Sequence, residues 1–184
     1  MYRYSYFRKP YYSLKSTKGI YILLGSNLGD RIQVLCDTKS LIKQKAGDII
    51  RSSSVYETEP WGVSNQPSFY NQVLELQTTL DAQSLLDCLQ DIEKTIGKVK
   101  LGKWRERLID IDILYYNHSI VDEASLKIPH PEIQNRRFTL VPLCEIAPDF
   151  INPVSQKTQK QMLAQCEDQL EVWPLNHNTA HYAQ

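Results

Sequence analysis

Apolar positions along the chain follow two periods, and the switches between them outline the elements. Residues 19–24, GIYILL, form a short apolar run that reads as a strand, and GSNLGD at 25–30 turns sharply out of it. Leu28, Ile32, Leu35 and Ile42 then fall on one helical face, with Gly47 closing the helix. Residues 49–58 read as a second strand, followed by a loop at 59–67 with two prolines, a glycine and Trp61. Residues 69–78, FYNQVLELQT, alternate again and place Phe69, Asn71 and Val73 on one strand face. Asp81 is the expected N-cap of a helix carrying Leu85, Leu86, Leu89, Ile92 and Ile96 at helical spacing, and Gly97 stands just past its end. Gln90 and Glu93 are expected on that helix's less apolar side.

The strongest alternation is LIDIDIL at 108–114, which puts Asp110 and Asp112 on one face of a strand and Ile109, Ile111 and Ile113 on the other. Two carboxylates held that close resist joint ionisation unless a cation lies between them. A hard divalent ion such as Mg²⁺ meets that need, because it takes one or two carboxylates together with substrate phosphates. The alternative is a half-exposed strand whose acids are merely solvated. Residues 98–107 lead into this strand with five basic residues against one acid, and cations beside a metal can stabilise phosphate charge. Phe69 alone reads as a core aromatic. Beside Asn71, however, it offers a stacking surface and an edge partner for a flat heteroaromatic ligand. Further along, Asn117 and His118 turn into a short strand, and Pro129 and Pro131 flank His130 and fix its direction. Arg136, Arg137 and Phe138 add charge and a second aromatic plane. Residues 142–147 suggest a short helix with proline in its first turn, ended by Pro148. A helix near 160–166 and a strand near 170–173 complete the chain.

Composition places all this in one domain. The chain has 184 residues, 42% hydrophobic and 23% charged, enough for a single well-packed core. Net charge is zero, which gives no global field for nucleic acid or an anionic membrane. The balance is uneven: residues 1–18 hold five basic residues and no acid, while the remainder holds 16 basic and 21 acidic residues. We expect residues 1–18 to be a disordered basic extension, 19–173 to be the folded domain, and 174–184 to be a disordered tail. Cys36, Cys88, Cys144 and Cys166 match no zinc spacing, and a reducing cytoplasm is the expected compartment. No eighteen-residue apolar run suggests a membrane span. The strand before Gly25 carries neither Gly-x-Gly-x-x-Gly nor a Gly-Lys-Ser/Thr loop, so those nucleotide loops are excluded. A single-stranded RNA module would expose similar aromatics, but no RNP-type signature is present. A metal-dependent nuclease using the two acids is a third class.

In order, the motifs are Gly25-Ser26-Asn27; Thr58-x-Pro60; Gln66-Pro67-x-Phe69-x-Asn71; Trp104 with Arg107-x-x-Asp110-x-Asp112; Pro129-His130; and Asn135-Arg136-x-Phe138. This set closely resembles the 6-hydroxymethyl-7,8-dihydropterin pyrophosphokinases of folate biosynthesis, over roughly residues 19–173. The resemblance implies transfer of pyrophosphate from ATP to the pterin hydroxymethyl group, with AMP released. It implies two Mg²⁺ ions on Asp110 and Asp112, with Arg107 joining these two aspartates in catalysis. It implies a pterin held between Phe69 and Phe138 and contacted by Thr58, Pro60, Trp61 and Asn71. Gln90, Glu93, Trp104, Arg107, Ile113, Leu126, His130 and Arg136 are implied on the ATP side. The implied fold is α+β, a ferredoxin-like antiparallel sheet with helices on both faces in three αβα layers. A cytoplasmic monomer with small-molecule partners, and no nucleic acid or membrane, is the corresponding expectation. The chain departs from the family pattern in Lys98 and Lys100 where arginines are usual, in a loop one residue shorter before Trp104, and in Pro131 after the histidine.

Overall fold

A buried run with no turn residue until Gly25 makes the first strand, β1 (Ile20–Ser26), an interior strand of the sheet, paired on both sides. The computed structural model describes residues 18–59, 67–97 and 108–175. From β1 the chain passes through α1 (Arg31–Lys45), whose N-cap Asp30 accepts from the Gln33 N–H at 3.0 Å. It returns in β2 (Asp48–Ser52) and β3 (Tyr56–Thr58), then runs through β4 (Phe69–Gln77), α2 (Ala82–Ile96) and β5 (Asp110–Tyr116). The sheet order is β5-β1-β4, with β2 and β3 both on the far side of β4 and β8 (Val172–Pro174) outside β3. Every pairing is antiparallel. This β-α-β-β-α-β order, with β5 and β4 flanking β1, is the ferredoxin-like arrangement.

The sheet has a core on each face, as period-two side chains require. On one, Ile22, Leu24, Leu74, Ile111 and Ile113 meet Leu35, Ile42, Leu85, Leu89 and Ile92 of α1 and α2. On the other, Tyr21, Leu23, Val73 and Tyr115 meet Leu140, Leu143 and Ile146 of α3 (Arg137–Ile146) and Met162 of α4 (Gln159–Ala164). The expectation of helices on both faces therefore holds. A small hairpin, β6 (Val121–Asp122) and β7 (Lys127–Ile128), is closed by a Lys127–Asp122 ion pair.

Several expected elements differ in detail. The single strand expected at 49–58 is broken into β2 and β3 because Ser53 leaves the regular ladder. Its hydroxyl accepts from the Val73 N–H at 3.0 Å and its carbonyl from the Gln72 amide at 2.7 Å. Ile32 is 41% exposed rather than on the buried stripe of α1. The helix expected at 142–147 starts at Arg137, and Pro142 lies inside it. The expected Asp81 cap is present, accepting from the Ser84 N–H at 2.7 Å, and Gly97 ends α2 with φ of 103°. Gly47 must be glycine for steric as well as torsional reasons: a Cβ there would lie 2.3 Å from the Gln77 carbonyl oxygen. Pro174 belongs to β8 and the Leu175 N–H donates to Val55, so the first two residues of the expected tail are part of the fold. Among the described residues, no helix is long and apolar enough to cross a membrane.

Candidate functional site

Strand register gathers the predicted residues. Gly25 of β1 is opposite Asn71 on one side and Asp110 on the other, and Leu23 is opposite Asp112. Thr58 is opposite Phe69, and Tyr56 opposite Asn71. Cross-strand partners share a face, so Thr58, Phe69, Asn71, Gly25, Asp110 and Asp112 all present to the α3 side of the sheet. Arg136 is the N-cap of α3, the helix on that same face, and Phe138 in its first turn packs against the core there.

On the β3–β4 half, the Asn71 amide donates to the Thr58 hydroxyl at 2.8 Å, and both residues are buried. That bond fixes the Asn71 amide plane and leaves its carbonyl oxygen directed at Gly25. A Cβ at position 25 would lie 3.2 Å from this oxygen and 4.0 Å from the Phe69 ring, so glycine keeps a space open there. Phe69 is partly exposed and belongs to neither hydrophobic cluster. It is therefore not the core aromatic that it reads as in isolation.

On the β5 half, Asp110 and Asp112 are both partly exposed on the same face, about 6.6 Å apart along the strand. Among the described residues no group of three or more His, Cys, Asp or Glu gathers as a metal cage. A pair of hard carboxylate oxygens on one face suits Mg²⁺, which completes its octahedron with water and phosphate. The residue between them is held from behind. The Glu93 carboxylate, only 5% exposed, accepts from the Ile111 N–H at 2.8 Å. Its expected place on the less apolar side of α2 is thus corrected: it points inward and caps the outer edge of β5, whereas Gln90 is exposed.

His130 packs against the same strand, its N–H donating to the Leu114 carbonyl at 3.0 Å. Its Nδ1 accepts from the Glu132 N–H at 3.2 Å, so the neutral ring carries its proton on Nε2. Burial, reinforced by the Arg136 charge, pushes the imidazole down to about 4, against the opposing pull of Glu132 and Asp110. Arg136 is the N-cap residue of α3, its guanidinium 5.8 Å from the Phe138 ring centroid. The Asp168 carboxylate accepts from the Arg137 N–H at 2.8 Å and tethers this helix start to the C-terminal segment. No sequence motif pointed to Asp168, because its partner is 31 residues away.

Ile113 and Leu126 lie in the core under α1 and α2, across the sheet from the aspartates. Pro60, Trp61, Trp104 and Arg107, with Lys98, Lys100, Lys103 and Arg105, lie outside the described residues.

Sequence and structural comparisons converge. The profile of the family described as 7,8-dihydro-6-hydroxymethylpterin-pyrophosphokinase (HPPK) matches residues 21–148. The chain is 39% identical over 142 residues to 2-amino-4-hydroxy-6-hydroxymethyldihydropteridine pyrophosphokinase of Aquifex aeolicus, covering 77% of this chain and 88% of that protein. It is 41% identical over 138 residues to the folic acid synthesis protein fol1 of Pneumocystis carinii, covering 75% of this chain but 19% of that protein. The crystal structure of wild-type Plasmodium falciparum HPPK-DHPS has a TM-score of 0.65 at 17% identity, covering 82% of this chain and 46% of that chain, a likeness of fold. The chain thus spans about a fifth of the Pneumocystis carinii protein and under half of the Plasmodium falciparum chain.

Proposed function

Because the chain belongs to the 7,8-dihydro-6-hydroxymethylpterin-pyrophosphokinase family, we propose that it transfers pyrophosphate from ATP to the hydroxymethyl oxygen of 6-hydroxymethyl-7,8-dihydropterin, in folate biosynthesis. That oxygen forms a bond to the β-phosphorus and releases its proton to solvent, while the bond from this phosphorus to the α,β-bridging oxygen breaks and AMP leaves with that bond's electron pair. The observation that carries this reading is the shared face: Asp110 and Asp112 lie on β5 between the Asn71–Thr58–Phe69 side, reached across β1, and His130, whose backbone bonds to the same strand.

Each half has a chemical task. The Asn71 carbonyl oxygen and the Thr58 hydroxyl give a flat heterocycle an acceptor and a donor on one edge, and Phe69 and Phe138 give it faces to stack on. Neutral His130 donates from Nε2 to a phosphate oxygen, and Arg136 adds fixed positive charge. Asp110 and Asp112 would hold Mg²⁺, two ions by family resemblance, and the metal when bound supplies charge neutralisation to the phosphates. Arg107, Trp104, Gln90, Glu93, Ile113 and Leu126 are assigned to the ATP side, and Pro60 and Trp61 to the pterin side, by that resemblance. The active form is assigned as a monomer in the cytoplasm on the same footing.

Pyrophosphoryl transfer depends on positioning and charge, and no protein nucleophile is required. Mixing the protein with ATP, Mg²⁺ and 6-hydroxymethyl-7,8-dihydropterin should give AMP and a pyrophosphorylated pterin in equal amounts by chromatography. ADP as the main product, or nucleotide turnover independent of the pterin, would overturn the assignment.

A further inference from the structure

Arg31 is the first residue of α1, and its position is unfavourable for that helix, since a cation there meets the positive end of the macrodipole. Its contacts lie elsewhere. Nη1 donates to the Ser68 carbonyl at 2.8 Å and to the Ser68 hydroxyl at 2.7 Å, and lies 3.5 Å from a Glu57 carboxylate oxygen. The Ser68 hydroxyl donates to that same oxygen at 2.6 Å. The guanidinium also lies flat enough on Tyr70 to bring its carbon 3.7 Å from the ring centroid. One side chain of α1 therefore contacts both strands of the β3–β4 pair through three residues: Glu57 on β3, Ser68 just before β4, and Tyr70 on β4.

Those three residues alternate with the proposed pterin ligands. Glu57 precedes Thr58, Ser68 precedes Phe69, and Tyr70 separates Phe69 from Asn71. Glu57 and Tyr70 are cross-strand partners, so they stand on the sheet face opposite Thr58, Phe69 and Asn71. From these relationships we infer that Arg31 is a positioning residue for the pterin half, fixing from behind the strand ends that carry Thr58, Phe69 and Asn71. It does not touch the ligand. A short strand such as β3 has few ladder bonds of its own, and a displacement of Ser68 passes directly to Phe69. Arginine suits the task because its planar group can stack and hydrogen-bond together, whereas a lysine ammonium cannot cover the Tyr70 ring in the same way.

This inference rests on the pterin assignment above, and its test separates the two. Isothermal titration measures binding of α,β-methylene-ATP with Mg²⁺, and then of 6-hydroxymethyl-7,8-dihydropterin to the protein saturated with that analogue. Arg31→Ala should weaken pterin binding about tenfold, with analogue binding changed less than about twofold. Arg31→Lys should recover part of the loss, and Ser68→Ala, which removes the bridging hydroxyl, should cost about threefold. Unchanged pterin binding in Arg31→Ala, or equal weakening of both ligands, overturns the positioning role. If Arg31→Ala does not fold, Ser68→Ala decides in the same way. Asn71→Ala serves as the reference. Wild-type pterin affinity in Asn71→Ala removes the pterin assignment itself, while loss in Asn71→Ala with wild-type affinity in Arg31→Ala removes Arg31's role alone.

Discussion

The carboxylate of Glu93 and the N–H of Ile111 are joined at 2.8 Å across the outer edge of β5, with Asp110 and Asp112 on either side of that N–H. A buried acid on α2 thereby sets the height of the backbone between the two proposed metal ligands. Removing the acceptor leaves the Ile111 N–H unsatisfied, which costs about 2 kcal/mol. Glu93→Ala should lower the urea midpoint accordingly and raise the Mg²⁺ concentration needed for half-maximal turnover. Glu93→Gln retains a carbonyl acceptor and should lie close to wild type on both measures. Identical Mg²⁺ titrations for Glu93→Ala and wild type would sever the link between this bond and the aspartates.

Asp110→Asn and Asp112→Asn preserve shape while removing charge. Each should lower kcat by at least about 100-fold, the scale expected when charge stabilisation at a transferring phosphoryl group is lost. Both residues are partly exposed, so thermal unfolding should change little. A normal kcat in either variant would take that residue out of the metal site.

His130 links stability to pH with a definite sign. Its folded-state value lies near 4, below the ordinary 6.5, so between these limits the unfolded chain binds a proton that the folded chain refuses. The stability it contributes is complete above about pH 6.5 and falls as pH drops toward 4, by about 1.4 kcal/mol per unit inside that window. Urea unfolding of wild type and His130→Gln at pH 7 and pH 5 isolates this contribution. The variant should show the shallower dependence; parallel slopes would contradict the buried, neutral imidazole.

Gly25→Ala tests the open space beside Asn71. Its added methyl would stand 3.2 Å from the Asn71 carbonyl oxygen, inside ordinary contact. Pterin binding should weaken about tenfold while ATP-analogue binding stays within about twofold. A matched loss for both ligands would place the space on the nucleotide route instead.

The alternation of residues 108–114 and of 69–78 made the aspartate pair and the Phe69–Asn71 face legible, because strand side chains obey a strict period of two. Capping chemistry did the same for Asp81 and Gly97. What periodicity cannot show is which strand lies beside which. The meeting of Gly25 with both Asn71 and Asp110 is a fact of register, and Arg31 and Asp168 act over separations of 37 and 31 residues. The break at Ser53 was hidden because its cause is a side chain on β4, and the early start of α3 because proline suggested a first turn. Glu93 was misplaced for a related reason. A charged residue on a helix reads as solvated until its buried partner is seen.

Among the described residues β5 forms one rim of the sheet, and a bare rim offers its backbone to any strand that drifts against it. Here two of the groups along that rim are already engaged: the Ile111 N–H by Glu93, and the Leu114 carbonyl by the backbone of His130. Glu93, which steadies the backbone between the carboxylates, thereby also occupies a donor that a passing strand would otherwise pair with.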